Sequence, residues 1–156
     1  MEITIRDFDE KDAAATARLF FESVRRGAAT RYSEAQRQAW APDLPDPAEW
    51  RDRLGGLRTW IAEVEGKMAG FMSVTPTGHL DLAFVHPDWI GAGVAKALYG
   101  PVEQYARQSG LSRLTSDASL LARPFFERQG WQVLREQQPV RNGVALANFR
   151  MEKTLD

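Results

Sequence analysis

Two short stretches of this chain hold residue types that can do chemistry. The first is residues 84–96, FVHPDWIGAGVAK. An apolar run ends there, a short loop turns, and Gly91 and Gly93 open a helical pattern. Glycine at those places removes Cβ atoms where a ligand's oxyanions would approach the backbone. A helix start adds amide N–H groups without intrahelical partners and the positive end of the dipole. Together they make an anion site suited to a pyrophosphate. On spacing alone, the same glycines also serve a tight strand-to-helix turn with no ligand. A P-loop is excluded because no G-x-x-x-x-G-K-[ST] occurs, and the third glycine of G-x-G-x-x-G is replaced by Lys96. The second stretch is residues 79–85, HLDLAFV. Strict alternation puts Leu80, Leu82 and Phe84 on one face, with His79, Asp81, Ala83 and Val85 on the other. A strand covered on both sides should be apolar on both, so His79 and Asp81 mark a cleft wall. Either can take a proton from an ammonium, directly or through water; an imidazole is by type the better matched to neutral pH. The plainer alternatives are an Asp81–arginine pair at the sheet margin and a solvated His79 after the Gly78 turn. No third or fourth ligand accompanies them, so no metal site is expected.

The elements that must position these residues follow from periodicity and punctuation. Strands are predicted over 2–6, 59–64, 68–75, 79–85, 112–116, 131–138 and 143–153, the last two flanking Asn142-Gly143, a strong hairpin signal. Asp9 can cap a first helix whose apolar residues are Ala13, Ala17, Phe20, Phe21 and Val24. Ser33 and Gln36 form a capping-box pattern for a second helix, and Asp46-Pro47-Ala48-Glu49 starts a third with Trp50 and Leu54 on one face. A longer helix runs from about Gly91 to Gln108 with Val94, Leu98, Val102 and Tyr105 as its buried stripe. Pro101 inside it predicts a kink or break near Gly100. A last helix spans about 120–129 and stops at Gly130. The order βααα-βββ-α-β-α-ββ is that of a layered α/β domain with a mixed sheet.

Composition narrows the function classes. The chain has 156 residues, fitting one domain over 1–156. It has no Cys, which excludes disulfides, thiolate nucleophiles and Cys-ligated zinc. With 20 Lys+Arg against 21 Asp+Glu it lacks the basic excess of a nucleic-acid binder. Its apolar runs are far short of the ~20 residues a membrane helix needs, and the N-terminus shows no signal-peptide pattern. A cytoplasmic location is the expectation.

The segments V-H-P-D-x-x-G-x-G-V-A-x-A-L and A-S-x-x-A-R-x-F-F-E-R-x-G-W resemble those of the GNAT superfamily of acyl-CoA-dependent N-acetyltransferases. The element order matches that fold over essentially the whole chain, and the closing strand from Gly143 to Leu155 resembles a small bacterial subgroup. The resemblance implies a mostly antiparallel seven-stranded sheet flanked by helices on both faces. It implies acetyl-CoA as co-substrate, without a metal, lying where strand 79–86 splays from strand 112–117, with Asp81 nearer the splay than His79. Backbone groups of Phe84 and Val85 would bond the pantetheine arm, and the Val85 N–H would hold the developing oxyanion. The N–H groups of Gly91, Ala92, Gly93, Val94, Ala95 and Lys96 would cradle the pyrophosphate. Ser119 would face the pantetheine, with Phe125 and Phe126 near its sulfur end. Lys96 is the better side-chain candidate for the CoA phosphates; Arg123 and Arg128 lie on the helix that would flank CoA. His86 would shape its loop and Asp88 help cap the next helix. The region covering the acceptor supplies Arg25, Arg26, Tyr32, Gln36 and Trp40. Two positions depart from the family: Ile90 replaces a polar residue, and Phe126 stands where many members carry a tyrosine that protonates the leaving thiolate. Tyr32 is the candidate replacement acid. The implied function is acetyl transfer to a primary amine of a small molecule or peptide, by direct attack. Relatives of this kind are often homodimers. The alternatives are a CoA-binding module without catalysis and an unrelated nucleotide binder.

Overall fold

The computed structural model describes residues 1–156. In chain order the strands are β1 (Ile3–Asp7), β2 (Arg58–Val64), β3 (Lys67–Val74), β4 (His79–Val85), β5 (Arg113–Ser119), β6 (Gln132–Gln137), β7 (Val140–Arg141), β8 (Val144–Ala145) and β9 (Asn148–Thr154). The helices are α1 (Ala13–Glu22), α2 (Glu34–Trp40), α3 (Pro47–Gly55), α4 (Val94–Gln108) and α5 (Arg123–Arg128). Seven strands form one sheet in the order β1-β2-β3-β4-β5-β9-β6. Every pairing is antiparallel except β4–β5. On one face Ala17, Leu19 and Phe20 of α1 and Trp50 and Leu54 of α3 bury against Ile61, Phe71 and Leu82. On the other, Val94, Leu98, Val102 and Ala106 of α4 and Phe126 of α5 bury against Val74, Leu80, Leu114 and Met151. No helix is long and apolar enough to cross a membrane.

Local signals set the helix starts. Asp9 and Asp12 form a capping box around a 3-10 turn, Glu10–Asp12, which leads into α1; the cap belongs to that turn and not to the α-helix itself. Ser33 and Gln36 close the box that starts α2, and the Asp46 side chain accepts from the Glu49 amide at α3. Beyond Glu22 the chain makes a π-helical turn, Ser23–Gly27.

Three expectations are corrected. The helix pattern at 91–108 begins only at Val94, since Gly91 and Gly93 lie at φ 83° and 90°, outside the helical region. That helix then continues through Pro101 without the break that was one of the two expected outcomes there. An interior proline costs about 3 kcal/mol, but burying Val94, Leu98 and Val102 contributes about 1.5–3 kcal/mol for each side chain, so packing wins. The last predicted strand, 143–153, is broken. Asn142 (φ 49°) and Gly143 (φ 80°) turn a separate two-stranded ribbon, β7–β8, while β9 pairs with β5 and β6. The break falls at Leu146, which leaves the sheet to bury against Ala28 and Tyr32.

Candidate active site

β4 and β5 pair only at His79–Thr115 and Leu80–Ser116, and then part. Two local features accompany the parting. Ser116 Oγ donates to the Leu80 carbonyl at 2.9 Å, on the side of Leu80 away from β3. In β4, Leu80 faces Val74 and Leu82 faces Ser73, so Asp81 is an extra residue without a partner. Such a bulge bends a strand and re-aims its side chains. It also corrects the alternation read from sequence. Leu80, Ala83 and Val85 pack on the α4 side, whereas Leu82 and Phe84 pack on the α1 and α3 side.

Past the bulge, the backbone of β4 points into the gap at alternate residues. The His86 N–H reaches the Ala69 carbonyl at 2.7 Å, toward β3. The Val85 carbonyl, facing the other way, accepts from Ser23 Oγ at 3.0 Å. Strand geometry aims the Val85 N–H in the same direction as its carbonyl. Ser23 lies in the π turn; only a helix face was legible there in sequence.

The loop after β4 delivers the helix start. His86 Nδ1 accepts the Asp88 N–H at 3.1 Å, which leaves Nε2 as the protonated nitrogen facing Glu22 at 2.8 Å. Asp88 pairs with Arg26 at 3.1 Å, and α4 has no side-chain cap, so the expected cap by Asp88 is not made. The first amides of α4, at Val94, Ala95 and Lys96, therefore lack intrahelical acceptors. A Cβ added at Gly91 would meet nothing within 4 Å, and one at Gly93 only Ile3 Cδ1 at 3.9 Å. Space is open around both glycines; their positive φ is what demands glycine. The fit to an extended, anionic co-substrate is good on that observation.

A cavity of about 430 Å³ follows this edge. Phe84, Val85, Ile90, Gly91, Gly93, Val94, Ala95, Lys96, Ser119, Phe125 and Phe126 line it; Ala92 does not. Arg128 joins them, whereas Arg123 turns away to Glu127 and over the Phe149 ring. A second cavity of about 380 Å³ opens on the opposite side of the gap. The two share Trp40, Ala83, Phe84, Ser119, Ala122 and Phe126 in their walls, so they meet where the strands part.

The second cavity holds both residues singled out on β4. His79 sits at the fork, with Nδ1 2.9 Å from Thr115 Oγ1 and Nε2 3.7 Å from Asp117 Oδ2. Asp81 is paired with Arg53 at 3.1 Å, the plainer of the readings open to it in sequence. Tyr32, buried, lines this cavity; its hydroxyl donates to the Ala147 carbonyl at 2.6 Å and accepts the Leu120 N–H at 3.0 Å. Burial pushes that phenol above its ordinary pKa. Trp40 lines both cavities, but Gln36, Arg25 and Arg26 line neither. Gln36 Nε2 donates to the Ala145 carbonyl and Arg25 Nε to that of Ala41. Residues not singled out in sequence complete the walls, among them Asp43, Arg53, Asp117 and Arg141. Burial opposes the charge on Asp117, yet hydrogen bonds from Gln137 and Arg150 outweigh it and hold the carboxyl below its ordinary range. Asp117, on β5, was not singled out because the search for a polar face was made on β4 alone.

The family model described as an acetyltransferase (GNAT) domain matches residues 28–155. The chain belongs to the GNAT acetyltransferase family. As a GNAT protein it is an acyltransferase. It is 34% identical to the N-acetyltransferase YafP of Escherichia coli (strain K12), over 96% of this chain and 94% of that protein. A shorter match, 31% identical over 54% of this chain and 70% of the relative, is to an aminoglycoside N(6′)-acetyltransferase type 1 of Stenotrophomonas maltophilia. A crystal structure of a GCN5-related N-acetyltransferase from Rhodopseudomonas palustris superposes with TM-score 0.93 at 37% identity, covering 99% of this chain and 97% of that one. The fold is shared as well with the PaiA N-acetyltransferase of Thermoplasma acidophilum, solved with coenzyme A, at TM-score 0.79 and 17% identity, over 99% and 100% of the two chains.

Proposed function

We propose that this GNAT enzyme, as one catalytic unit over 1–156, moves the acetyl group of acetyl-CoA to a primary amine of a small molecule. The observation that carries the reading is the gap between β4 and β5, where a groove ending at a glycine-opened helix start meets a second, aromatic-walled cavity. The groove takes the co-substrate. The α4 amides and Lys96 face its phosphates, and the unpaired edge of β4 faces its pantetheine. The second cavity takes the acceptor.

The reaction is direct attack in a ternary complex. The amine nitrogen, deprotonated, bonds to the thioester carbon; the carbonyl oxygen gains charge and the Val85 N–H stabilises it. The nitrogen gives up its second proton to water, the carbonyl re-forms as the C–S bond breaks, and the thiolate leaves. His79, unpaired with any cation, is the freer base; six residues separate it from Val85, roughly 20 Å along an extended strand, so it takes the ammonium's proton through waters in the cavity and not by direct contact. Asp81 is held by Arg53, so its carboxylate is less available to an ammonium. Tyr32 directs its proton to Ala147 and makes a poor acid as it stands. With Phe126 at the usual acid position, the thiolate takes its proton from water. Losing a general acid costs about 10²–10⁴-fold, which slows transfer without abolishing it.

The test begins with thermal unfolding in acetyl-CoA, CoA, ATP and NAD at matched concentrations. A ligand at 100 times its Kd adds about 2.7 kcal/mol. A raised midpoint with both CoA species alone, followed by thiol release on an amine panel, is the expected result. A shift only with ATP or NAD removes the donor assignment. CoA binding without turnover on any amine favours a silent CoA-binding module, the reading that Phe126 and Ile90 motivate.

A further inference from the structure

The wall of the acceptor cavity has an order that the family assignment does not explain. Five rings run along it in contact. Tyr32 meets Trp40 at 5.5 Å between centroids, Trp40 meets Phe84 at 6.2 Å, Phe84 meets Phe20 at 5.1 Å, and Phe20 meets Trp50 at 5.1 Å. All five line the same cavity. The wall ends at Arg53, whose guanidinium lies 5.4 Å from the Trp50 ring centroid and 3.1 Å from Asp81.

The charges of the cavity are nearly cancelled by the chain itself. Three carboxylates line it, Asp43, Asp81 and Asp117. Asp81 is met by Arg53, and Asp117 by Arg150 at 3.1 Å and by Gln137 at 3.0 Å. Only Asp43 has no cation within 4.0 Å, and Arg141 is likewise without an anionic partner; both are exposed. A cavity that recognises a polyamine or an aminoglycoside needs several free carboxylates, one for each ammonium beyond the reacting one. Here the carboxylate on β4 is already taken by a guanidinium. A second ammonium entering the cavity meets Arg53 as a like charge before it reaches Asp81.

We propose that the acceptor is a monoamine carried on a flat, apolar, aromatic body, and that Arg53 makes the site selective by holding Asp81 away from polycations. This rests on the second cavity being the acceptor site. The aromatic body lies along the Tyr32–Trp50 wall, where ring contacts and desolvation supply the affinity. The amine points to the fork between β4 and β5.

The experiment compares phenethylamine with spermidine and kanamycin on the full chain, with CoA present, before and after Arg53→Gln. Arg53 lines the acceptor cavity and not the co-substrate groove, so CoA binding should be unchanged in the variant. For the native chain, kcat/KM for phenethylamine should exceed that for spermidine and kanamycin by tenfold or more. Arg53→Gln should raise the spermidine-to-phenethylamine ratio of kcat/KM by about two- to fivefold, the scale of freeing one partly exposed carboxylate. Binding by calorimetry on the CoA-loaded protein is measured in parallel, because it reads preference even where no acetyl group moves. Absence of thiol release with every amine would count against acetyl transfer, while the order of binding would still decide this inference. Spermidine or kanamycin equal to or better than phenethylamine overturns it, as does failure of all three to bind. An Arg53→Gln variant with an unchanged spermidine-to-phenethylamine ratio removes Arg53 from the selectivity.

Discussion

Gly93→Glu tests the anion site most directly, and the structure supplies its magnitude. Gly93 sits at φ 90° immediately before α4. Its missing Cβ would touch only Ile3 Cδ1, at 3.9 Å, so a side chain there costs backbone strain and not overlap. That strain is about 1–2 kcal/mol. Against a total of about 5–15 kcal/mol the protein stays folded, with a melting midpoint lowered by about 2–8 °C. The charge acts on top of this. A carboxylate about 4 Å from one phosphate charge costs about 4 kcal/mol at an effective dielectric near 20, and salt at this exposed edge cuts that to about half. CoA affinity should therefore fall roughly 30- to 1000-fold. Gly93→Ala carries the same strain without the charge, so it should show the same loss of midpoint and a CoA Kd close to native. Calorimetric titration with CoA at low and high salt separates the two. A folded Gly93→Glu that binds CoA as tightly as Gly93→Ala refutes the placement of the pyrophosphate at this helix start.

Three shorter predictions accompany it. His79→Ala should lower kcat by about 10²–10⁴-fold, and Asp81→Asn by much less, because the Asp81 carboxylate is paired with Arg53; equal losses in a stopped-time thiol assay would show that His79 is not the distinguishing base. Tyr32→Phe leaves the Ala147 carbonyl and the Leu120 amide without their partner, so urea unfolding should report a loss of about 1–3 kcal/mol, and the KM for the amine should rise more than that for acetyl-CoA. Hydrogen bonds from Arg6, two at 2.8 Å, hold the Asp12 carboxyl below its ordinary value of 3.8. Its folded pKa lies below the unfolded one, so the stabilisation is present above about pH 4 and is lost as pH falls through the folded pKa. Asp12→Asn should flatten the acid-side fall of stability, and an unchanged slope would contradict the role of this pair.

Much of the fold was legible because its signals are local. Capping residues Ser33 and Asp46, the Asn142-Gly143 turn and the apolar stripe of α4 act over three or four residues, and each works where it was read. The two glycines that turn the chain into α4 were legible for the same reason. What the sequence did not show depends on contacts far apart in the chain. The bulge at Asp81 arises from the register of β4 on β3, and no pattern within HLDLAFV announces it. One inserted residue moved Leu80 to the opposite face from Leu82 and Phe84 and undid the alternation from which the acidic wall was inferred. Gln36 was expected at the acceptor because its segment covers that side. Its amide is instead held by the Ser33 amide and the Ala145 carbonyl, a bond across 109 positions. Asp117 and Arg53 became visible only when β5 and α3 were seen to face the same gap.

The residue at position 126 shapes how the rate should depend on pH. Phe126 is 1% exposed, packed 4.7 Å from the Trp131 ring, yet its edge reaches both cavities. Its side chain has no proton to give. Tyr32 is the one phenol on the cavity walls, and its proton lies on the bond to Ala147, from which it is released only by breaking the link between the β5–α5 loop and the ribbon side of the cavity. A thiol has an ordinary pKa of about 8.5, so a thiolate leaves near neutral pH with water as the proton source. A site with both a base and an acid gives a bell-shaped profile. A site with a base alone gives one rising limb and a plateau. With an aryl monoamine as acceptor, kcat should rise through the titration of the base and then stay level to about pH 9. A falling limb below that pH would reveal an acid in the site and return Tyr32 to the mechanism. Phe126→Tyr then provides the converse: restoring a phenol at this position should raise kcat and introduce the alkaline limb that the native chain lacks.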